Sequence, residues 1–195
     1  MKMDFSNIPP NNFSYITDVF SNSQWKKIDS IIKKITYQPI LLEKITKGSG
    51  KLKKNEFSLE LHRFIARKSG ISQITQSPYL QAILSLINDS SLIEKVNYFF
   101  NKEIEILRMQ LNVMKAGDFI SEHSDIESDN AYLCGILIRT YSQYTGGDLT
   151  VYDSEHNEYK IRQPNHSILL MNSHCNHKVD SLTSGFRHTL CLFMG

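Results

Sequence analysis

His123 and Asp125 stand two residues apart in GDFISEHSDIES, residues 117–128, and their types and spacing could clamp a metal ion. On an extended segment residues i and i+2 project to the same side, so an imidazole and a carboxylate converge on one ion without distorting the chain. A ferrous site for oxygen chemistry needs two neutral imidazoles and one carboxylate on one face of the metal, with the other positions open for co-substrate and dioxygen. The pair by itself is a weak signal, because His-x-Asp recurs by chance. A third ligand has to come from elsewhere, and the C-terminal run HCNHKVDSLTSGFRHT offers His174 and His177.

Four elements occur in order along the second half of the chain: His123/Asp125, then Gly146-Gly147-Asp148-Leu149, then His177/Val179, then Gly185-Phe186-Arg187 with Thr189. In this the sequence resembles the iron(II)- and 2-oxoglutarate-dependent dioxygenases, especially the prolyl-4-hydroxylase-like group. The match covers residues 103–195, about half the chain. The resemblance implies that His123, Asp125 and His177 bind Fe(II), that 2-oxoglutarate chelates the metal, and that O2 is consumed as a C–H bond is hydroxylated with release of succinate and CO2. It also implies that Arg187 and Thr189 hold the far carboxylate of 2-oxoglutarate. The guanidinium fork suits a bidentate carboxylate contact, and a hydroxyl two residues along a strand lies on the same face. Asp125 fills the coordination position that halogenating relatives leave to halide, which favours hydroxylation.

One departure concerns the strand before His123, where relatives carry a tyrosine that touches 2-oxoglutarate. The matching residue here is Met114, whose sulfur cannot donate that hydrogen bond. By alternation Arg108, Gln110, Asn112 and Met114 share one face, opposite Leu107, Met109, Leu111 and Val113. If the polar face points into the site, Asn112 or Gln110 holds a carboxylate of the co-substrate or part of the substrate; otherwise it faces solvent. Tyr132 is a second candidate for the missing hydroxyl. His156-x-Glu158 also has ligand spacing, but it sits in the polar turn-like segment YDSEHNEYK and reads as an exposed loop. His62, His166, His174 and His188 read as structural.

The elements that must position these residues change in character near residue 103. Before it, Trp25, Ile28, Ile32 and Ile35 fall at helical spacing behind candidate caps Ser21, Asn22 and Ser23, predicting a helix over 23–35. Ser77-Pro78 predicts a helix start running through Ile87, and Ser91-x-x-Glu94 predicts a capping box for the next helix. Phe57, Leu59 and Leu61 alternate with polar residues as a strand does, and the KGSGKLKKN run at 47–55 reads as an exposed connector or a lid for an anionic substrate. After residue 103, ILRMQLNVM, AYLCGILIRTY, DLTVYD, EYKIR, SILLM and RHTLCLFM read as short strands between turns. The expected fold is α+β: one domain over 1–195, with residues 1–102 mainly helical support and 103–195 a double-stranded β-helix (jelly-roll, cupin-like) core.

Composition bounds the function classes. A chain of 195 residues that is 41% hydrophobic and 22% charged suits one globular domain. No apolar run is long enough to span a bilayer and the N-terminal stretch lacks the apolar core of a signal peptide, so no membrane partner and a cytoplasmic location are expected. Three cysteines without a Cys-x-x-Cys pair read as reduced, buried thiols. A net charge of +2 argues against a nucleic-acid partner. So does Phe193, which occupies the position where nucleic-acid-demethylating relatives carry a second arginine. The expected substrate is a small molecule, an amino acid or a peptide side chain, and the oligomeric state is left open. The competing class is a cupin-like protein that binds metal or a small ligand without oxidative turnover.

Overall fold

The structure is a computed structural model and describes residues 13–45, 57–153 and 155–195. The lysine-rich run at 47–55 lies outside them. Helix α1 (Asn22–Thr36) is fixed at its start by a reciprocal cap: the Gln24 backbone N–H donates to Ser21 Oγ at 3.3 Å, and the Ser21 N–H donates to Gln24 Oε1 at 2.8 Å. Its apolar stripe of Trp25, Ile28, Ile32 and Ile35 is buried. Helices α2 (Leu80–Asn88) and α3 (Leu92–Phe100) follow.

Both of these start differently from the sequence expectation. Ser77 and Pro78 lie in the turn before α2, and the Ser77 hydroxyl is taken by His62 Nε2 at 2.8 Å. Ser91 is the N-cap of α3 by position, yet its side chain makes no capping bond and instead donates to the Asp18 carbonyl. Ser77 keeps a local bond all the same, since its Oγ also accepts from the Tyr79 backbone N–H at 3.3 Å; only at Ser91 did a tertiary partner replace the local cap.

The strands curl into two antiparallel sheets. The larger runs β1 (Phe13–Ile16), β11 (Ser167–Asn172), β7 (Cys134–Arg139), β13 (Leu182–Met194), β5 (Ile106–Lys115) and β3 (Phe57–Lys68). The smaller continues as β6 (Phe119–His123), β12 (His177–Val179), β9 (Leu149–Tyr152) and β10 (Glu158–Ile161). Short strands β2 (Glu43–Ile45) and β4 (Ile71–Ile74) flank β3, and β8 (Tyr144–Gly146) flanks β13. This is the expected double-stranded β-helix.

Residues 13–102 are more than helical support, because they supply β1 to β4. Strand β3 joins the sheets: Glu60 to Ile65 pair with β5, while Phe57 and Ser58 pair with Ile120 and Phe119 of β6. The sheets therefore close around a shared interior.

Two apolar cores result. One lies between the helices and the outer face of the larger sheet, joining Ile28, Ile35, Ile83 and Leu92 to Met109, Leu111, Ile136 and Leu192. The other fills the inside of the roll with Leu59, Leu61, Met114, Leu149, Val151, Leu169 and Val179. Gly185, at φ +76°, lets β13 pass against the Gln143 carbonyl, where any Cβ would collide with backbone. That keeps β8 beside the residues just ahead of Arg187. No described helix is long and apolar enough to cross a membrane.

Candidate active site

Strand pairing creates the cluster. His177 of β12 is the cross-strand partner of His123 at the end of β6, which puts the two imidazoles side by side with ring centroids 4.3 Å apart. Ser124 keeps an extended backbone, and the chain then enters a short 3-10 turn at Asp125–Glu127. That geometry carries the Asp125 carboxylate back toward both rings. Its Oδ1 lies 3.8 Å from His123 Nε2 and 3.9 Å from His177 Nε2, and one ligand atom from each of the three residues falls within 4.8 Å of the others.

The protonation pattern suits a metal. His123 Nδ1 donates to the Ser121 carbonyl at 2.9 Å and His177 Nδ1 donates to the Cys175 carbonyl at 3.0 Å. Each bond fixes the tautomer that leaves an Nε2 lone pair facing the cluster. Burial holds both rings neutral: desolvation, with the neighbouring His177, lowers His123 to about 4, and desolvation lowers His177 as well. Desolvation also raises Asp125 to about 6, against the pull of His123 and Arg108. A divalent cation would relieve that cost. Gly135 makes room for the carboxylate, since a Cβ there would stand 3.2 Å from Asp125 Oδ2.

The cluster opens into a cavity of about 390 Å³ inside the roll, whose wall includes Arg187, Thr189 and Asn112. Arg187 is 3% exposed and Thr189 1%. Arg187 Nε and Thr189 Oγ1 are buried without a hydrogen-bond partner among the described residues, and an Arg187 Nη1 donor reaches only the Met114 sulfur, at 3.7 Å. Buried donors left in this state mark a place where a ligand's acceptors belong. An anionic carboxylate fits both atoms and the charge. Asn112 faces the same space as the cross-strand partner of Thr189, with its Oδ1 bonded to Gln110 Nε2 at 2.7 Å.

Tyr132 is placed elsewhere. Its ring packs against Phe193 at 5.1 Å, and it lines an outer cleft instead of the cavity. The register explains this: Cys134 pairs with Met194 at the far end of β13, so the residue two before it cannot approach Arg187. The same register sets Arg139 opposite Thr189.

Arg139 and Tyr144 are the residues that sequence reasoning missed. Arg139 is wholly buried, with its Nη groups on the His188 carbonyl and Ser142 Oγ and its guanidinium 4.4 Å from the centre of the Tyr144 ring. Desolvation and the nearby Arg187 charge lower its pKa to about 10. Desolvation lowers Arg187 too, while the Tyr144 phenol works in the opposite direction on both. Alternation along CGILIR, with Arg139 on the Gly135 and Leu137 face, was the available signal for Arg139. Nothing local marked Tyr144.

The other histidines serve the structure. His62 Nδ1 donates to the Leu41 carbonyl at 2.7 Å, and His166 pairs with Asp29 and stacks on Trp25. His156 is exposed in a turn at φ +66°, and His174 is exposed.

Fold and site together define a double-stranded β-helix that carries two histidines and an aspartate at one end of its interior. No protein-family model matches the sequence, and no curated protein is detectably similar to it. Solved structures do match. A 2OG-Fe(II) oxygenase family oxidoreductase from Burkholderia pseudomallei superposes with a TM-score of 0.80 at 19% identity, covering 94% of this chain and 84% of that one. A prolyl hydroxylase from Trichoplax adhaerens, solved with a hypoxia inducible factor peptide fragment, gives 0.72 at 17% identity over 97% of this chain and 86% of that one. A viral collagen prolyl hydroxylase from Paramecium Bursaria Chlorella virus-1, in a 2OG complex, gives 0.61 at 13% identity over 93% and 94%. The fold of this chain is the fold of the 2OG-Fe(II) oxygenases.

Proposed function

We propose that the protein is an Fe(II)- and 2-oxoglutarate-dependent dioxygenase that hydroxylates a C–H bond of a small molecule, an amino acid or a peptide side chain. One observation carries the reading. The His123, Asp125 and His177 ligand atoms share a cavity with Arg187 Nε and Thr189 Oγ1, two buried donors that lack partners among the described residues. A metal-binding protein without a co-substrate has no use for a second, unsatisfied anion site in the same cavity.

When bound, Fe(II), 2-oxoglutarate and O2 supply the oxidation, with succinate and CO2 as co-products. The protein's own residues do the rest. His123 and His177 present neutral Nε2 lone pairs held in place by their backbone-bonded Nδ1 atoms, and Asp125 contributes the single negative ligand. Arg187 and Thr189 anchor the distal carboxylate of 2-oxoglutarate, and Asn112 offers an amide from the adjoining strand. Tyr144 braces the Arg187 guanidinium in place of a hydroxyl at Met114, which is buried and apolar. Leu59, Leu61, Ile120, Leu137 and Val179 line the wall and exclude water. Three buried free cysteines fit a reducing, cytoplasmic setting.

The test is anaerobic addition of Fe(II) and then 2-oxoglutarate to metal-free protein, with Arg187→Ala in parallel. A weak visible charge-transfer band in the wild type, reduced in the variant, is the expected result. Confirmed metal binding by folded protein with no band would replace this reading with a cupin-like metal-binding one.

A further inference from the structure

One cation on the cavity wall is left over by this assignment. Arg108, on β5, stands where the cavity meets the outer cleft formed by Arg67, Ser128, Asp129 and Tyr132. Its guanidinium lies 5.0 Å from the centroid of Phe193, and its Nε and Nη2 both donate to Gln110 Oε1, at 2.9 and 2.5 Å. Gln110 is locked in turn by its bond to Asn112 Oδ1. These contacts, together with the Tyr132 phenol, hold the guanidinium rigid but give it only neutral partners. Among the described residues no carboxylate lies within ion-pair distance of Arg108.

The other charges on the wall are matched. Arg63 is bonded to Glu43 at 3.0 Å. With Fe(II) and dianionic 2-oxoglutarate bound, their charges and those of Asp125 and Arg187 would sum to zero across the cavity. The charge of Arg108 is then in excess, on a partly buried group with no carboxylate in ion-pair contact, where a bound anion is rewarded. Arg108 lines the same cavity as His123, Asp125 and His177, so an acid seated on Arg108 would extend its carbon chain into the space the metal ligands face. A cavity of about 390 Å³ has room for a molecule of amino-acid size next to the co-substrate.

We propose that Arg108 is the recognition group for a substrate carboxylate, and that the substrate is a small carboxylic acid of the free amino-acid class. This rests on the dioxygenase reading above. Planar guanidinium donors left over by Gln110 and the Tyr132 phenol give the carboxylate a directional contact, and Phe193 beneath them keeps the plane fixed.

The experiment uses anaerobic protein loaded with Fe(II) and 2-oxoglutarate, and measures uptake of the free amino acids and of their carboxamides by equilibrium dialysis. Wild type, Arg108→Met and Arg108→Lys are compared. At least one acid should be taken up about tenfold or more tightly than its amide, the discrimination expected of a charge-assisted hydrogen bond. Arg108→Met should erase that preference and Arg108→Lys should keep part of it. In air, the preferred acid should raise succinate formation by the wild type, with Arg108→Met raising KM more than it lowers kcat. Equal uptake of acids and amides, an acid preference that survives in Arg108→Met, or no uptake of any acid at millimolar concentration would overturn the proposal. The charge-transfer band with 2-oxoglutarate should persist in both Arg108 variants. Its absence from the wild type would remove the dioxygenase reading itself, whereas a normal band without acid preference would remove only the role of Arg108.

Discussion

On β5, Met109, Leu111 and Val113 turn outward into the core beneath the helices, while Gln110 and Asn112 turn inward to the cavity. Strand β13 does the same, with Leu190 and Leu192 outward and Arg187, Thr189 and Cys191 inward. The outward residues are apolar and tightly enclosed. The inward ones include buried donors without partners among the described residues, on Arg187 and Thr189. One set of strands thus carries a face built for stability and, one residue out of phase, a face built for a ligand. Truncation should have opposite signatures on the two faces.

The largest effect is expected at the metal cluster. Asp125→Ala removes the only carboxylate of the cluster and should abolish Fe(II) retention and co-substrate turnover. The fold should survive, because a buried carboxyl held at an unfavourable pKa is lost with it. Metal analysis and a melting curve on the same sample check both halves; a collapse of the melting transition would show that the inner face is structural after all.

Acidity offers a graded version of that experiment. Asp125 is raised to about 6 and His123 is lowered to about 4 by burial, and only deprotonated ligands bind metal. Just below pH 6 the proton on Asp125 should be the first to compete with the metal, since burial lowers both histidines. Affinity should be flat above about pH 6 and fall about tenfold per pH unit below it. A two-proton slope beginning near pH 6.5, from metal titrations across this range, would mean that the histidines ionise as exposed ones do.

Leu111→Ala tests the other face. Leu111 is fully buried in the helix-backed core, and the cavity left behind should cost about 2–5 kcal/mol of stability. Denaturant unfolding measures the loss, and 2-oxoglutarate affinity at a temperature where the variant is folded should match the wild type. Coupled losses would show that the two faces are not independent.

Arg187→Met should reverse that signature. Removing a buried guanidinium whose Nε has no partner should leave the unliganded protein as stable as the wild type or more so, while 2-oxoglutarate binds about ten- to a hundredfold more weakly, as befits loss of a charge-assisted contact. Thr189→Val should follow the same direction with a smaller change, since a neutral hydrogen bond is worth less. Melting temperature and titration of the charge-transfer band separate the two quantities.

The contrast between faces also explains what could be read from the sequence. Alternation alone separated Arg108, Gln110 and Asn112 from Met109, Leu111 and Val113, and the candidate caps Ser21, Asn22 and Ser23 bracketed the start of α1, because both signals are local. The ordered motifs picked out His123, Asp125, His177, Arg187 and Thr189, which the structure gathers around one cavity. What stayed hidden depended on pairing between distant segments. The role of β3 as the bridge between sheets is set by two different partners along one strand. Tyr132 is expected near the co-substrate and Arg139 is not, yet register puts Arg139, and not Tyr132, opposite Thr189. Ser91 had the right type for a capping box and was drawn to the Asp18 carbonyl instead, while Ser77 bonds both the Tyr79 backbone N–H and His62.

Gly135 provides the finest test, because it lies on the ligand face and contributes no side chain at all. A Cβ at this position would stand 3.2 Å from Asp125 Oδ2, tighter than ordinary van der Waals contact, so Gly135→Ala should push the carboxylate by a few tenths of an ångström. Its φ is not in the left-handed region, so the backbone accepts alanine without strain. The displaced ligand should weaken metal binding several-fold while stability changes by less than about 1 kcal/mol, the opposite balance from Leu111→Ala. A loss of stability without a loss of metal affinity would mean that the carboxylate moves freely and that its position is set by the metal. A loss of affinity alone would mean that the packing of β7 against Asp125 sets the geometry of the site before any metal arrives.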